Sequence, residues 1–364
     1  MYPSYWMNLN QIGSRSTTCV TRAALVGPVP VVYMLRERWE AVRQAPRVAP
    51  VSAAVVAEVI RNGFVEGYHF GSVVITAPDG SVESLVGVVD RPILPRSANK
   101  PAQALGMLRC GLELPDELLA LAAASHSGEP MHLDGVYRIL ETAGLNQSDL
   151  GTPPAYPLDE LAREEWIRTG RGPEPIAMNC SGKHAAMLAT CVANGWPTVT
   201  YRHPEHPVQL AIRAALEDIS GERVASVAVD GCGAPLLAIS LTGLARAFGR
   251  LASAAAQTPA GRVAEAVRTR PEYVSGTRRD EAALMRATPG LLCKGGAEGV
   301  YAAGLPDGRG IAVKISDGAA RARSVVLAET LYRLGLDNPT IQLQREHPVL
   351  GGGDQVGVVR AVCR

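Results

Sequence analysis

The sequence predicts an α/β chain of the α+β type, with a largely antiparallel central sheet flanked by helices. Three observations predict it: a hairpin pattern in residues 54–89, a second in 300–316, and helical patterns filling most of the interval between them. A hairpin near each end, with helices between, describes one sheet assembled from both ends of the chain.

The elements follow in order. Residues 1–50 mix Ser, Thr, Pro and Arg without lasting period and read as a disordered extension or a start assigned too far upstream. Within them, 24–35 is apolar but short and broken by Pro28 and Pro30, and 36–47 is at best a marginal isolated helix. The domain that matters is expected over 51–364. Segments 54–60 and 67–76 are rich in Val, Ile and aromatics, and the turn Pro78-Asp79-Gly80 returns the chain into 82–89. Ser97 then reads as the N-cap of a helix reaching about residue 110, with Pro101 early enough to be tolerated.

A small apolar run, 117–124, ends at Ser125-His126-Ser127-Gly128-Glu129, and a helix follows over 131–143. Further helices are expected over 158–169, 185–194, 207–218, 236–255 and 262–269, and one runs from Asp280 through Ala287. Residues 224–229 form a strand that delivers Asp230-Gly231-Cys232-Gly233 into a glycine-rich turn. The hairpin 300–304 and 311–316 turns at Pro306-Asp307-Gly308. A last helix, 319–334, stops at Gly335, and 356–362 is strand-like.

Composition narrows the function. The formal net charge is +1 with arginines spread along the length, which points to neither nucleic acid nor a membrane surface. Aromatics at 5% supply no stacking platform. Seven scattered cysteines, an odd number, do not describe a disulfide framework, so a reducing cytoplasm is expected. The chain has no run of 18 apolar residues, and no Gly-x-Gly-x-x-Gly or Walker loop to imply a nucleotide or organic cofactor. This is the profile of a globular enzyme with a small-molecule substrate.

Lysine usage locates the chemistry. Of 36 basic residues only Lys100, Lys183, Lys294 and Lys314 are lysines. A chain that uses arginine wherever charge suffices keeps lysine for work a guanidinium cannot do, namely losing a proton or offering a lone pair. Ser97 and Lys100 are three apart, the Ser-x-x-Lys spacing that lets an amine take a serine proton and make a nucleophile. His126 is the residue a triad search selects. It has no accompanying Asp or Gly-x-Ser-x-Gly elbow, which disfavours a Ser-His-Asp hydrolase. Cys180 and Lys183 share one helix face, and Cys232 arrives on a separate turn. Two thiolates and an amine describe a zinc site, with Asp230 as an outer or water-bridged partner. Two buried structural cysteines are the competing account, and spacing alone favours it.

Six segments, in one order, carry a resemblance: Arg96-Ser97-x-x-Lys100-Pro101, Ser125-His126-Ser127, Asn179-Cys180-Ser181-Gly182-Lys183-His184, Asp230-Gly231-Cys232, Lys294-Gly295 and Val313-Lys314-Ile315-Ser316-Asp317-Gly318. Together they resemble the asparaginase II family, the thermolabile or Rhizobium-etli-type L-asparaginases. The resemblance implies a serine β-lactamase/glutaminase-like fold and hydrolysis of L-asparagine to aspartate and ammonia. It implies Ser97 paired with Lys100, Ser125 paired with Lys294, and zinc held by Cys180, Lys183 and Cys232, positioning substrate rather than activating water. Arg279 and Asp230 are expected on the substrate side, Arg279 because a guanidinium suits a carboxylate. A homodimer is the expected assembly. One rival is a penicillin-recognising acyl-serine enzyme, but the Ser-Asp-Asn and Lys-Thr-Gly motifs it requires are missing from the chain. The other is a non-catalytic, zinc-stabilised amino-acid-binding protein.

Overall fold

A computed structural model describes residues 54–362 of the 364-residue chain. The expectations for residues 1–50 lie outside the described residues.

Alternating apolar residues in β1 (Ala54–Arg61) and β2 (Phe64–Thr76) make a hairpin closed by Asn62-Gly63, both in the left-handed region that such a turn demands. β3 (Val82–Val86) continues on β2 past the end of β1. From the far end of the sequence, β11 (Asp354–Ala361) pairs with β1, placing Ala57 opposite Ala361, and β10 (Glu346–Gly351) pairs with β11. On the other side of β2 lie β9 (Gly310–Ile315), β8 (Val300–Gly304) and finally β7 (Leu292–Gly295) at the edge. Every pairing is antiparallel. The expected sheet from both ends of the chain is therefore what forms.

The helices are α1 (Lys100–Arg109), α2 (Asp116–Ala122), α3 (Pro130–Thr142), α4 (Glu160–Arg168), α5 (Ser181–Ala193), α6 (Pro207–Ser220), α7 (Leu241–Ala252), α8 (Pro259–Thr269), α9 (Pro271–Val274), α10 (Asp280–Ala287), α11 (Ala320–Arg333) and α12 (Pro339–Gln344). α7 lies directly on the β8–β9 hairpin. A Cβ at Gly310 would come 1.9 Å from the Ala245 carbonyl and one at Gly304 2.1 Å from that of Phe248, so helix and strand backbones touch where glycine permits it. α1, α2 and α5 bury their lengths in the same core, where each buried Leu or Met contributes roughly 1.5–3 kcal/mol. Among the described residues no helix is long and apolar enough to cross a membrane.

Several local expectations change. Residues 236–255 are not one helix: 235–240 form β6 (Pro235–Ser240), paired with β5 (Ser226–Val229) on one side and β4 (Pro92–Ile93) on the other. A continuous buried apolar run carries no period to tell strand from helix. α7 begins only where the Ser240 hydroxyl accepts the Gly243 amide at 2.8 Å. Nor does Ser97 cap α1. It sits in a 3₁₀ turn, Arg96–Asn99, and Asn99 takes the cap position. β7, β10 and α12 are additional. β7 has only four residues, and β10 is a mostly exposed edge strand interrupted by Pro348, so neither shows alternation in the sequence.

Candidate active site

A cleft of about 230 Å³ opens where the 3₁₀ turn, the end of α2, the start of α10 and the loop after β7 meet. Ser97, Ser125, Asn179, Arg279 and residues 295–299 line it. Ser97 directly follows one strained residue, and a second lines the same cleft. Arg96 has φ 53° and Glu298 has φ 58°, conformations that are costly without glycine. Arg96 Nε donates to Asp230 Oδ1 at 2.8 Å, and its Nη1 lies 3.6 Å from Glu298 Oε1, so two strained residues across the cleft mouth are tied together.

Lys100 lies below this cleft, 1% exposed. Its Nζ donates to the Ala124 carbonyl at 2.5 Å, to Ser125 Oγ at 3.0 Å and to Cys180 Sγ at 3.0 Å. The contact therefore differs from the pairing expected by spacing: Lys100 reaches the second serine, not Ser97. Among the described residues the Ser97 hydroxyl makes no hydrogen bond. Lys294, expected beside Ser125, donates instead to Glu281 Oε1 at 3.1 Å and to the Gly295 carbonyl at 2.9 Å. Direction explains the first outcome. Lys100 opens α1 at the close of a 3₁₀ turn, so its stem follows neither helix face on which the Ser-x-x-Lys argument relies.

The sulfurs form the adjoining layer. Lys183 Nζ donates to Cys232 Sγ at 3.3 Å, and Cys232 Sγ donates to Asp230 Oδ2 at 3.7 Å. The Cys232 thiol, Lys100 and Lys183 hold the Cys180 thiol well below its ordinary range against the opposing effect of burial. The contact with Cys180 raises the Cys232 thiol, and burial adds to this. Burial pulls Lys183 down, but Cys232, Cys180 and Asp230 outweigh it and leave the amine above its usual value. Two cysteine sulfurs and a lysine nitrogen thus converge, a set of donor atoms that fits zinc once their protons are displaced. Among the described residues no three His, Cys, Asp or Glu side chains are so grouped, so any such site depends on the lysine.

Arg279 and Asp230 separate. Arg279 is at the cap position of α10 and lines the cleft, where its side chain makes no hydrogen bond or ion pair among the described residues. Asp230 is not part of the lining and spends its carboxylate on Arg96. His126 is also accounted for. Burial holds it well below its ordinary range, with His132 and Lys100 adding to the effect. Its Nε2 donates to Ser181 Oγ at 2.8 Å, which in turn donates to the Ile176 carbonyl, so the ring anchors the start of α5.

Two further residues were not legible in the sequence. Glu281, fully buried, is the carboxylate facing Lys294. Burial pushes it up, but Lys294, Arg279 and Arg323 outweigh burial and bring it down to about 2. Burial lowers Lys294 to about 8 against the pull of Glu281, with Lys100 and Arg279 lowering it further. Arg323 Nη1 donates to the Gly296 carbonyl at 2.6 Å and braces the cleft wall. In sequence an acidic residue in a first helical turn reads as dipole compensation, so nothing marked Glu281.

The L-asparaginase II family model matches residues 57–361, and the chain belongs to that family. Among solved structures, it is similar to a β-lactamase from Mycobacterium bovis, with 13% identity, 79% of this chain and 97% of the other covered, and a TM-score of 0.41. It is also similar to a Bacillus glutaminase, with 13% identity, 84% and 98% covered, and a TM-score of 0.35. No curated protein matches.

Proposed function

We propose that this chain is an L-asparagine amidohydrolase that works through an acyl-serine. The observation that carries the reading is the 3.0 Å contact between Lys100 Nζ and Ser125 Oγ beneath a cleft that also presents an unpaired Arg279. Of the three groups touching the amine, Ala124 offers only a carbonyl, and Cys180 is occupied by Cys232. The hydroxyl is the partner able to hand over a proton and then attack.

The steps follow from that arrangement. The α-carboxylate of asparagine is gripped by Arg279, whose planar fork matches it. Lys100, as the amine, takes the Ser125 proton while Oγ bonds to the side-chain amide carbon. The backbone amides of Ala297 and Glu298, which make no hydrogen bond among the described residues, stand at the cleft wall for the oxyanion. Lys100 returns the proton to the departing nitrogen and ammonia leaves. Water, deprotonated by the same amine, then cleaves the ester to release aspartate. Zinc, if held, would take Cys180, Lys183 and Cys232 as ligands and supply a fixed positive charge that helps position substrate.

A second arrangement keeps the same base: Ser97 attacks and Ser125 passes its proton to Lys100. The free Ser97 hydroxyl in the cleft favours it. Ammonia release from asparagine, glutamine and a β-lactam, with and without chelator, tests the activity and the metal. Peptide mapping of the trapped acyl-enzyme then separates the serines. Label on Ser125 supports the first arrangement and label on Ser97 the second. Full turnover by the Ser97→Ala, Ser125→Ala double variant would sink both. Light scattering of the full chain tests whether it forms a homodimer. A reducing cytoplasm is consistent with free thiols at Cys110, Cys180, Cys191, Cys232 and Cys293.

A further inference from the structure

Glu281 occupies an unusual position. β7 is an edge strand, hydrogen-bonded to β8 on one side only. An edge leaves backbone amides without partners unless something covers them. Here a single side-chain oxygen does so. Glu281 Oε1 accepts the Gly295 amide at 2.6 Å and the Lys294 amine at 3.1 Å, while the same amine donates to the Gly295 carbonyl at 2.9 Å. One carboxylate oxygen thereby fixes a lysine head and the strand backbone beside it.

Space at this point is fully used. A Cβ on Gly295 would lie 2.4 Å from Glu281 Oε1 and 2.5 Å from Arg323 Nη1. Past Gly295 the chain becomes the cleft wall, residues 295–299, which includes the strained Glu298. The charged groups around Lys294 are Glu281 from α10, Arg279 at its cap and Lys100 from α1; Arg323 from α11 flanks the carboxylate. Cys293 and Tyr301, both buried and uncharged in the ordinary range, complete the surroundings. The second oxygen of Glu281 is buried and makes no hydrogen bond among the described residues. Leaving a buried acceptor open is costly, and such exceptions call for a reason beyond stability.

We propose that Glu281 is a positioning residue of the cleft, holding Lys294 as an ammonium behind the reacting serines and fixing the wall at residues 295–298. This rests on the amide-hydrolysis reading, because the ammonium would act on negative charge that develops there. Glu281 touches no substrate. Its effect passes through Lys294 and the Gly295 backbone.

The chain's four lysines make the test direct. Protein labelled with [ε-¹³C]lysine gives four assignable signals, and the Lys294 signal is followed through pH in wild type, E281D and E281Q. Wild type is expected to titrate near 8. Removing the carboxylate charge removes the one influence raising Lys294, so E281Q should titrate lower by about one unit or more, with E281D between. The alkaline limb of kcat should move down in the same graded order. At neutral pH, kcat of E281Q should fall by at least about tenfold with KM changed far less. A wild-type Lys294 midpoint or an unmoved kcat profile in a folded E281Q overturns the proposal. If E281Q does not fold, an E281D protein matching wild type in both readouts overturns it equally. If wild type releases no ammonia from asparagine, the hydrolysis reading fails, and the lysine titration alone decides whether Glu281 holds Lys294 charged.

Discussion

Two buried lysines lie in neighbouring parts of one site, and their partners set them apart. Lys100 faces a carbonyl, a hydroxyl and a sulfur. Lys294 faces a carboxylate and a carbonyl. A hydroxyl beside an amine offers a proton to exchange, whereas a carboxylate offers only charge to retain. Under the proposed function the same side chain, equally buried, would serve as the base in one place and would hold its charge against a carboxylate in the other.

The largest expected effect breaks the first half of this contrast. Lys100→Met should cut ammonia release by roughly 10²–10⁴-fold, and Lys100→Arg should not restore it, because a guanidinium keeps its proton. Comparable turnover in either variant, measured by a coupled ammonia assay, would show that Lys100 is no base.

The second half breaks through stability. Glu281→Ala leaves a buried cation without its counter-charge and should lower the unfolding free energy by about 3–5 kcal/mol, read from urea titration at neutral pH. The pH dependence carries a definite sign. Glu281 in the fold sits at about 2, below its ordinary value, so its contribution is present above the unfolded carboxylate range. It should drain away as pH falls from the ordinary carboxylate range towards 2, and wild type should lose urea resistance in that window faster than E281Q.

The smallest effect sharpens the contrast rather than breaking it. Arg279 lines the cleft, and its side chain makes no hydrogen bond or ion pair among the described residues. Arg279→Lys should raise KM for asparagine by about 10-fold with kcat nearly kept, since uniform binding is lost while the proton relay stays in place. A fall in kcat at unchanged KM would move Arg279 out of the substrate-binding role.

How much of this was legible depended on range. Hairpins closed by Asn, Asp, Gly and Pro announce themselves locally, as do helices of regular period, and both ends of the sheet were readable for that reason. The scarcity of lysine and the order of six short motifs located the site. What the spacing could not supply was direction. Lys100 turns from Ser97 towards Ser125 because α2 and α5 bring Ala124 and Cys180 to it, an outcome of packing rather than of a three-residue interval. Glu281 was hidden because an acid at a helix start looks ordinary until an edge strand is set against it. β6 and β7 were hidden by being buried on all sides.

The pairing of β1 with β11 also bears on how the protein comes into being. On the flank away from β2, Ala57 finds its neighbour at Ala361, so an emerging polypeptide must hold the β1–β2 hairpin unpartnered on that flank until β11 has been made. Such distant pairings are slow to close and leave a sticky edge in the meantime. Translation that stops short of residue 354 leaves that flank of β1 bare, and aggregation during expression should be governed there rather than at the cleft.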